Sequence, residues 1–256
     1  MESIDELRSI VAKLRSPEGC PWDQEQTHES IRSQLLEECY EVLEAIDEKD
    51  DSMLCEELGD VLLHIVFHAQ LAEERNAFEL DQVIGKICEK LIRRHPHVFG
   101  NDSCTDANEV LQKWDELKKK EKPERESTLD GVPPNLPALM QAQEIQKKAS
   151  KVGFDWSDPK DVIKKAREEL SELESAIESS VSDDIREELG DVLFSFVNLA
   201  RHLKVDAEQA CRDTNRKFNN RFRYVEKQIK QQGKLMSEAS LEEMEAFWQE
   251  AKTQTP

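Results

Sequence analysis

Acidic residues recur in this chain at spacings that favour metal chemistry. Glu168-Glu169-Leu170-Ser171-Glu172 is followed by Glu187-Glu188-Leu189-Gly190-Asp191. Side chains three or four apart share a helix face, so Glu169 points with Glu172, and Glu188 with Asp191. In an antiparallel helical hairpin turning about residue 180, Glu169 faces Asp191 and Glu172 faces Glu188. Four carboxylates that close repel one another unless a cation sits among them. Oxygen-only ligation suits Mg2+, with Mn2+ as a substitute. A di-iron helical site would carry Glu-x-x-His where this chain has Asp191, which argues against iron. The plain alternative for any single Glu pair is a solvated face, since glutamate is mostly exposed.

The same acids stand earlier in the chain. Glu37, Glu38, Glu41, Glu57 and Asp60 lie 131 positions before Glu168, Glu169, Glu172, Glu188 and Asp191. Their hairpin would turn about residue 49. One offset shared by separated blocks is the mark of an internal repeat. Matched acids in both copies favour a metal groove over a solvated face.

The elements that position these acids are helices. Only eight Gly and nine Pro occur in 256 residues, and 35% of residues are charged. Apolar residues recur at helical spacing. The periodicity predicts helices over 3–15, 29–47, 52–75, 79–94, 105–121, 137–151, 158–179, 182–203, 205–231 and 239–252. Ser16-Pro17-Glu18-Gly19 stops the first, and Cys20-Pro21-Trp22-Asp23 is expected as a loop. Pro123, Pro133, Pro134 and Pro137 mark a linker. The expected fold is therefore all-α: a tandem repeat of two helical domains, 1–122 and 138–256, joined by a Pro-rich linker, 123–137. One acid-lined hairpin cannot bury both of its apolar stripes. Packing two hairpins gives a four-helix bundle, with the second hairpin drawn from the other repeat or from another chain.

Cations and aromatics supply further candidates. Lys165 lies four residues before Glu169, placed to hold a phosphate or to pair with the acid. Lys217 and Arg221 share a helix face, as do Lys90 and Arg94 in the first copy. Such pairs neutralise outer phosphates or a leaving pyrophosphate, although charge at a helix C-terminus is common without a ligand. His64 and His68 share a face with Asp60. They read as hydrogen-bonded or surface histidines rather than metal ligands, because the second copy has Ser195 and Leu199 there, with a place beside the acids as their supporting partner the alternative for His64. Trp22 and Trp156 have the choice of covering the core or lying against a base, and packing is the favoured reading for Trp22. His95-Pro96-His97 lacks neighbours that would complete a metal site, and the Lys118-Lys119-Lys120 run reads as solvated. No Gly-rich Walker loop is present.

Charge and cysteine usage set outer limits. A net charge of −20 argues against a nucleic-acid partner, whose phosphates draw on clustered Lys and Arg. An acidic protein that handles a triphosphate needs cations as bridges. Six cysteines without a Cys-x-x-Cys pair read as reduced thiols in a cytosolic protein. The opening Met1-Glu2-Ser3-Ile4-Asp5-Glu6 is acidic, so no signal peptide is expected. The apolar runs Val61–Ala72 and Val192–Ala200 are too short to span a bilayer, so no membrane partner is expected.

Glu-Glu-x-x-Glu followed by Glu-x-x-Asp on the next helix resembles the MazG family of all-α nucleoside triphosphate pyrophosphohydrolases. The resemblance runs over nearly the whole chain. It takes in Gly19-Cys20-Pro21-Trp22-Asp23, Arg93-Arg94-His95-Pro96-His97-Val98-Phe99 and Val152-Gly153-Phe154-Asp155-Trp156. It continues through Asn198-Leu199-Ala200-Arg201-His202 and Lys217-Phe218-Asn219-Asn220-Arg221. It implies Mg2+-dependent hydrolysis of nucleoside triphosphates to monophosphate and pyrophosphate, by a homodimer in the bacterial cytoplasm. It also implies that Trp248 lies near the nucleotide, where the sequence alone reads it as core. The expected metal ligands are Glu169, Glu172, Glu188 and Asp191, with Glu168 or Glu187 as proton acceptor or supporting acid. Glu168, Lys165, Lys217, Arg221 and Trp248 are the expected substrate contacts. Glu38, Glu41, Glu57, Asp60, Lys90 and Arg94 are the first copy's counterparts. The second copy is expected to carry most turnover, because its acidic and basic sets both match the family pattern. The competing expectation is a metal or nucleotide sensor that binds without cleaving and acts through protein partners.

Overall fold

The computed structural model describes residues 3–121 and 126–254. Residues 122–125, the last of the expected first domain and the first three of the expected linker, lie outside the described residues. Helix dominates, and no strand occurs among the described residues. None of these helices is long and apolar enough to cross a membrane. All six cysteines carry free thiols. The chain divides into two compact units, Met1–Lys122 and Pro123–Pro256.

The first unit opens with α1 (Ile4–Arg15), which Ser3 caps by accepting from the Glu6 amide. The short helix α2 (Pro21–Glu25) follows where a loop was expected. Pro21 is the reason: its fixed φ and missing N–H suit the first helical position. The hairpin is α3 (Arg32–Glu48) and α4 (Asp51–Glu74). Then come α5 (Leu80–Arg94), the single turn α6 (Pro96–Phe99) and α7 (Ala107–Glu121). The core gathers Val11 of α1, Ile31, Leu80 of α5, and Val66, Phe67, Ala69 and Leu71 of α4. Arg15 ties α1 to the end of α4 with two bonds to Glu74, at 2.8 and 2.7 Å.

The second unit repeats the hairpin. Its helices are α8 (Ala138–Ser150), α9 (Pro159–Ser179), α10 (Ser182–His202), α11 (Ala207–Gln231) and α12 (Leu241–Gln254). Asp158 caps α9 by accepting from the Lys160 amide at 2.8 Å, with Pro159 at the first position. The buried apolar residues include Val162 and Ala166 of α9, Val192 and Val197 of α10, and Val225 and Ile229 of α11. The preceding segment folds onto α8, where Lys148 donates to the Asp130 carbonyl at 2.8 Å.

Both hairpins reverse through one left-handed residue. Lys49 has φ 57° and Ser180 has φ 58°. These are the two turn centres that the acid pairing predicts. Each hairpin keeps a stripe of large apolar side chains exposed. Leu36, Ile46, Leu58 and Leu62 are exposed in the first unit, and Leu170, Ile177, Leu189 and Leu193 in the second.

Candidate active site

Helix geometry brings three of the four second-copy acids together. Glu169 and Glu172 of α9 and Glu188 of α10 offer carboxylate oxygens that all lie within 4.8 Å of one another. Asp191 falls outside this group. Its side chain is one methylene shorter, and it lines a small cleft beside the acids. Glu169 is buried, Glu188 half-buried and Glu172 exposed, so the group runs from the interior to solvent. Burial raises the Glu188 carboxyl above its ordinary range, and repulsion from Glu172, Asp191 and Glu169 adds to the rise. Such a group gains most from a divalent ion, and its all-oxygen donors fit Mg2+ or Mn2+.

Lys165 sits over the buried acid. Its ammonium lies 2.7 Å from Glu168 and 2.8 Å from Glu169, and these two bonds raise its pKa. Glu168 is thus an exposed partner of Lys165 beside the group, and Glu187 is exposed on α10 next to Glu188. The cleft, about 100 Å³, is walled by Trp156, Val162, Phe194, Ser195 and Asn198 together with Lys165, Glu169 and Asp191.

Val162, Phe194, Ser195 and Asn198 are the lining residues that spacing arguments miss. A network explains the wall. Asp155 accepts from Arg201 at 2.9 Å and pairs with His202 at 2.9 Å. Arg201 also donates to the Asn198 side chain, at 3.0 and 2.7 Å. The Arg201 hydrogen bonds and, after them, His202 hold the Asp155 carboxyl below its usual range. The segment Val152–Trp156 is thereby latched to the end of α10, which brings Trp156 to the cleft. These are the motif residues Asp155-Trp156 and Asn198…Arg201-His202, so the signal was in the sequence without its geometry. Gln146 of α8 is buried and donates to the Phe194 carbonyl at 2.8 Å, fixing α10 from behind.

Lys217, Arg221 and Trp248 do not line this cleft. Lys217 is exposed and Arg221 half-buried on α11. Trp248 of α12 is half-buried with its ring 5.0 Å from that of Phe218. Trp22, expected to cover the core, is instead 56% exposed on α2. The helical start at Pro21 carries the indole outward.

The first unit repeats the triad with different neighbours. Glu38 and Glu41 of α3 and Glu57 of α4 offer oxygens within 4.8 Å of one another, and Asp60 stands outside the group. Burial first, then repulsion from Glu41 and Asp60, raises the Glu38 carboxyl; the same causes raise Glu57. His64 Nε2 is 4.0 Å from Glu38, and His68 pairs with His28 at 2.8 Å between Nδ1 atoms. Lys90 is half-buried on α5. Arg94 does not stand open to a phosphate. Glu121 of α7 binds it, and also binds Arg93 at 2.8 Å. Lys118 lies over the Trp114 ring at 5.6 Å.

Comparison with known proteins accounts for this doubled acid hairpin. The MazG nucleotide pyrophosphohydrolase domain matches residues 26–99 and again 157–225, which hold the two hairpins. A Thermotoga maritima protein named nucleoside triphosphate pyrophosphohydrolase/pyrophosphatase MazG is 50% identical over 250 residues, 97% of this chain and 95% of its own. The nucleoside triphosphate pyrophosphohydrolase of Escherichia coli K12 is 46% identical over 259 residues, 99% of this chain and 98% of its own. The uncharacterized Bacillus subtilis protein YabN is 49% identical over 248 residues, 96% of this chain but 51% of its own. Two matched domains, each built on its own carboxylate triad, make this chain a member of the MazG nucleotide pyrophosphohydrolase family.

Proposed function

We propose that the chain hydrolyses nucleoside triphosphates to monophosphate and pyrophosphate, dependent on Mg2+ (or Mn2+), and so controls or cleans the nucleotide pool. The observation that carries this reading is the convergence of Glu169, Glu172 and Glu188 beside Lys165 and an aromatic-walled cleft. In a family of nucleotide pyrophosphohydrolases, such a site reads as a phosphoric-anhydride hydrolase.

Glu169, Glu172 and Glu188 would hold the divalent ion, with Asp191 beside them. A divalent ion there supplies Lewis acidity at the triphosphate and makes a water nucleophilic near neutral pH. Lys165 pairs with the buried Glu169 at 2.8 Å and so holds it in place beside the group. Glu168 or Glu187 takes the proton of the attacking water, whose oxygen bonds to phosphorus as the bond to pyrophosphate breaks. Lys217 and Arg221, one turn apart on α11, neutralise charge that builds on the leaving pyrophosphate. Trp156 offers its ring to the base, with Trp248 a second candidate for that role.

The cleft favours assembly as a homodimer. About 100 Å³ is well below the roughly 300–1,000 Å³ of small-molecule sites. Phe194 on its wall is 44% exposed, so a second hairpin is needed to complete the pocket. Free thiols suit a cytoplasmic setting.

The test is product analysis with a panel of ribo- and deoxyribonucleoside triphosphates, with Mg2+ and with chelator. Monophosphate plus pyrophosphate, lost with chelator, is expected. Diphosphate plus phosphate would overturn the assigned bond. Metal-dependent binding without turnover would leave a sensor.

A further inference from the structure

Helix α10 carries a ladder of polar side chains. Glu188, Asp191, Ser195 and Asn198 follow one another at steps of three, four and three, the spacing that keeps to one helix face. The acids stand at the start of the ladder. Asn198 comes two turns after Asp191, about 10 Å further along the helix axis. Asp191, Ser195 and Asn198 all line the cleft, with Trp156 and Phe194 beside them.

Asn198 is 6% exposed, and its amide has only one consistent orientation. Oδ1 accepts from Arg201 twice, at 3.0 Å from Nε and 2.7 Å from Nη2. A guanidinium only donates, so the oxygen faces Arg201 and Nδ2 faces away from it. Nδ2 has no partner among the described residues, yet it is not sealed from solvent. Its opening is the cleft that Asn198 lines. Ser195, 7% exposed, is committed in the opposite sense. Its hydroxyl donates to the Val192 carbonyl at 2.8 Å, so it offers a ligand only lone pairs. The cleft thus sets a donor beside an acceptor. The hairpin itself does not require this pair. The positions 131 earlier hold His64 and Phe67, and Phe67 is buried in the core. A buried amide with unused N–H groups costs stability unless something bonds to it.

We propose that Asn198 reads the base of the triphosphate. Its Nδ2 donates to the acceptor on the base edge farthest from the sugar, and Ser195 Oγ takes the neighbouring N–H. The inference rests on the reading of the cleft as the nucleotide site, with phosphates at the acids and the base against Trp156. On that reading the far edge of the base is the part that reaches two turns past Asp191. Adenine presents N1 and its amino group on that edge, and cytosine presents N3 and its amino group. Reading that edge by hydrogen bonds while aromatic side chains hold the ring is an arrangement proteins use for single bases. A site built to bond a substrate group rejects the analogue that lacks it, because its own buried polar group is then left unpaired.

The experiment measures kcat/KM of the full chain for ATP against 1-deaza-ATP, and for CTP against 3-deaza-CTP, in wild type and Asn198→Asp. Each deaza analogue replaces the ring-nitrogen acceptor with C–H. Asn198→Asp keeps an oxygen for Arg201 and removes the donor, so the latch on Asp155 survives. Inorganic tripolyphosphate, which has no base, serves as a competitive inhibitor that reports general damage to the site. Circular dichroism checks folding, and Asn198→Ser replaces Asn198→Asp if the latter does not fold. In wild type each analogue is expected to fall about tenfold or more below its parent. In the variant the parents fall by a similar factor, parent and analogue come within about twofold, and the tripolyphosphate Ki moves by less than about twofold. Analogues turned over as well as their parents by wild type would overturn the proposal. So would a gap that persists in the variant, or a loss shared equally by tripolyphosphate, since Asn198 would then only hold the latch. If no triphosphate is hydrolysed, the nucleotide reading of the cleft fails and this inference fails with it. If triphosphates are hydrolysed and the variant leaves base discrimination unchanged, this inference alone fails.

Discussion

At the scale of the residue, the division between the units lies in what stands beside the matched glutamates Glu169, buried, and Glu38, half-buried. Glu169 has Lys165, and Glu38 has His64 at a longer distance. If the second unit carries turnover, Glu172→Gln lowers kcat by on the order of a hundredfold, while Glu41→Gln leaves it within about threefold. Steady-state rates of the two variants decide this, and the reverse order would move catalysis to the first unit. Arg201 acts at one remove. Arg201→Ala frees Asp155 and the Val152–Trp156 segment, so KM should rise roughly tenfold with kcat little changed. A fall in kcat alone would place Arg201 in the chemistry rather than in positioning. The triad acids and Lys165 are legible in the sequence because helical spacing turns numbering into geometry. Asn198 is legible as a motif residue but not as part of a wall, and Ser195 is not legible, because a small polar residue on a helix face carries no signature until the cleft exists. That Asp191 stands outside the triad is not legible either, because the pairing of positions says nothing of how far each side chain reaches.

At the scale of the element, caps and turns decide how firmly the hairpins hold the acids. Ser180 occupies a left-handed conformation that favours glycine, with its amide bonded to the Ala176 and Ile177 carbonyls. Ser180→Gly should stabilise the chain by about 0.5 kcal/mol, read as a rise in Tm. A fall would show that greater freedom of glycine in the unfolded chain outweighs the relieved strain. Asp50 caps α4 through the Ser52 and Met53 amides at 2.9 and 3.0 Å. A second element-scale device joins α5 to α7. Glu121 is held at about 2, against an ordinary 4.5, by its hydrogen bonds to Arg94 and then Arg93. A depressed carboxyl stabilises the fold fully above its unfolded pKa and loses that contribution as pH falls through the folded one. The first unit should therefore weaken as pH falls from about 4.5 toward 2. Urea midpoints measured across that window should change less steeply in Glu121→Gln, and an identical slope would show that the clamp contributes nothing. The long helices and both turns are readable from period and polarity. The short α2 and α6 are not, because a proline that ends one helix also opens the next, and a single turn has no periodicity to detect.

At the scale of the molecule, each hairpin presents acids on one side and an uncovered apolar stripe on another. Leu189, 47% exposed, and Leu193, 52% exposed, lie four apart on α10, on the helix that carries Glu188 and Asp191. A stripe of that kind on a monomer invites association, and a closed dimer of identical hairpins would be self-complementary. Phe194 follows Leu193 on α10 and is half open on the cleft wall, so an association broad enough to cover both the stripe and Phe194 would also wall the cleft. Dimerisation and catalysis should then fail together. The double variant Leu189→Glu, Leu193→Glu replaces exposed side chains, so the chain should still fold with native helix content. Sedimentation of the wild type is expected at twice the 29.6 kDa of one chain, and of the variant at that mass itself. Turnover at saturating triphosphate should drop by on the order of tenfold or more in the monomer, because the pocket that orients the nucleotide is incomplete. A monomeric variant with undiminished rate would mean that one hairpin forms a sufficient site, and that the exposed stripe serves assembly alone.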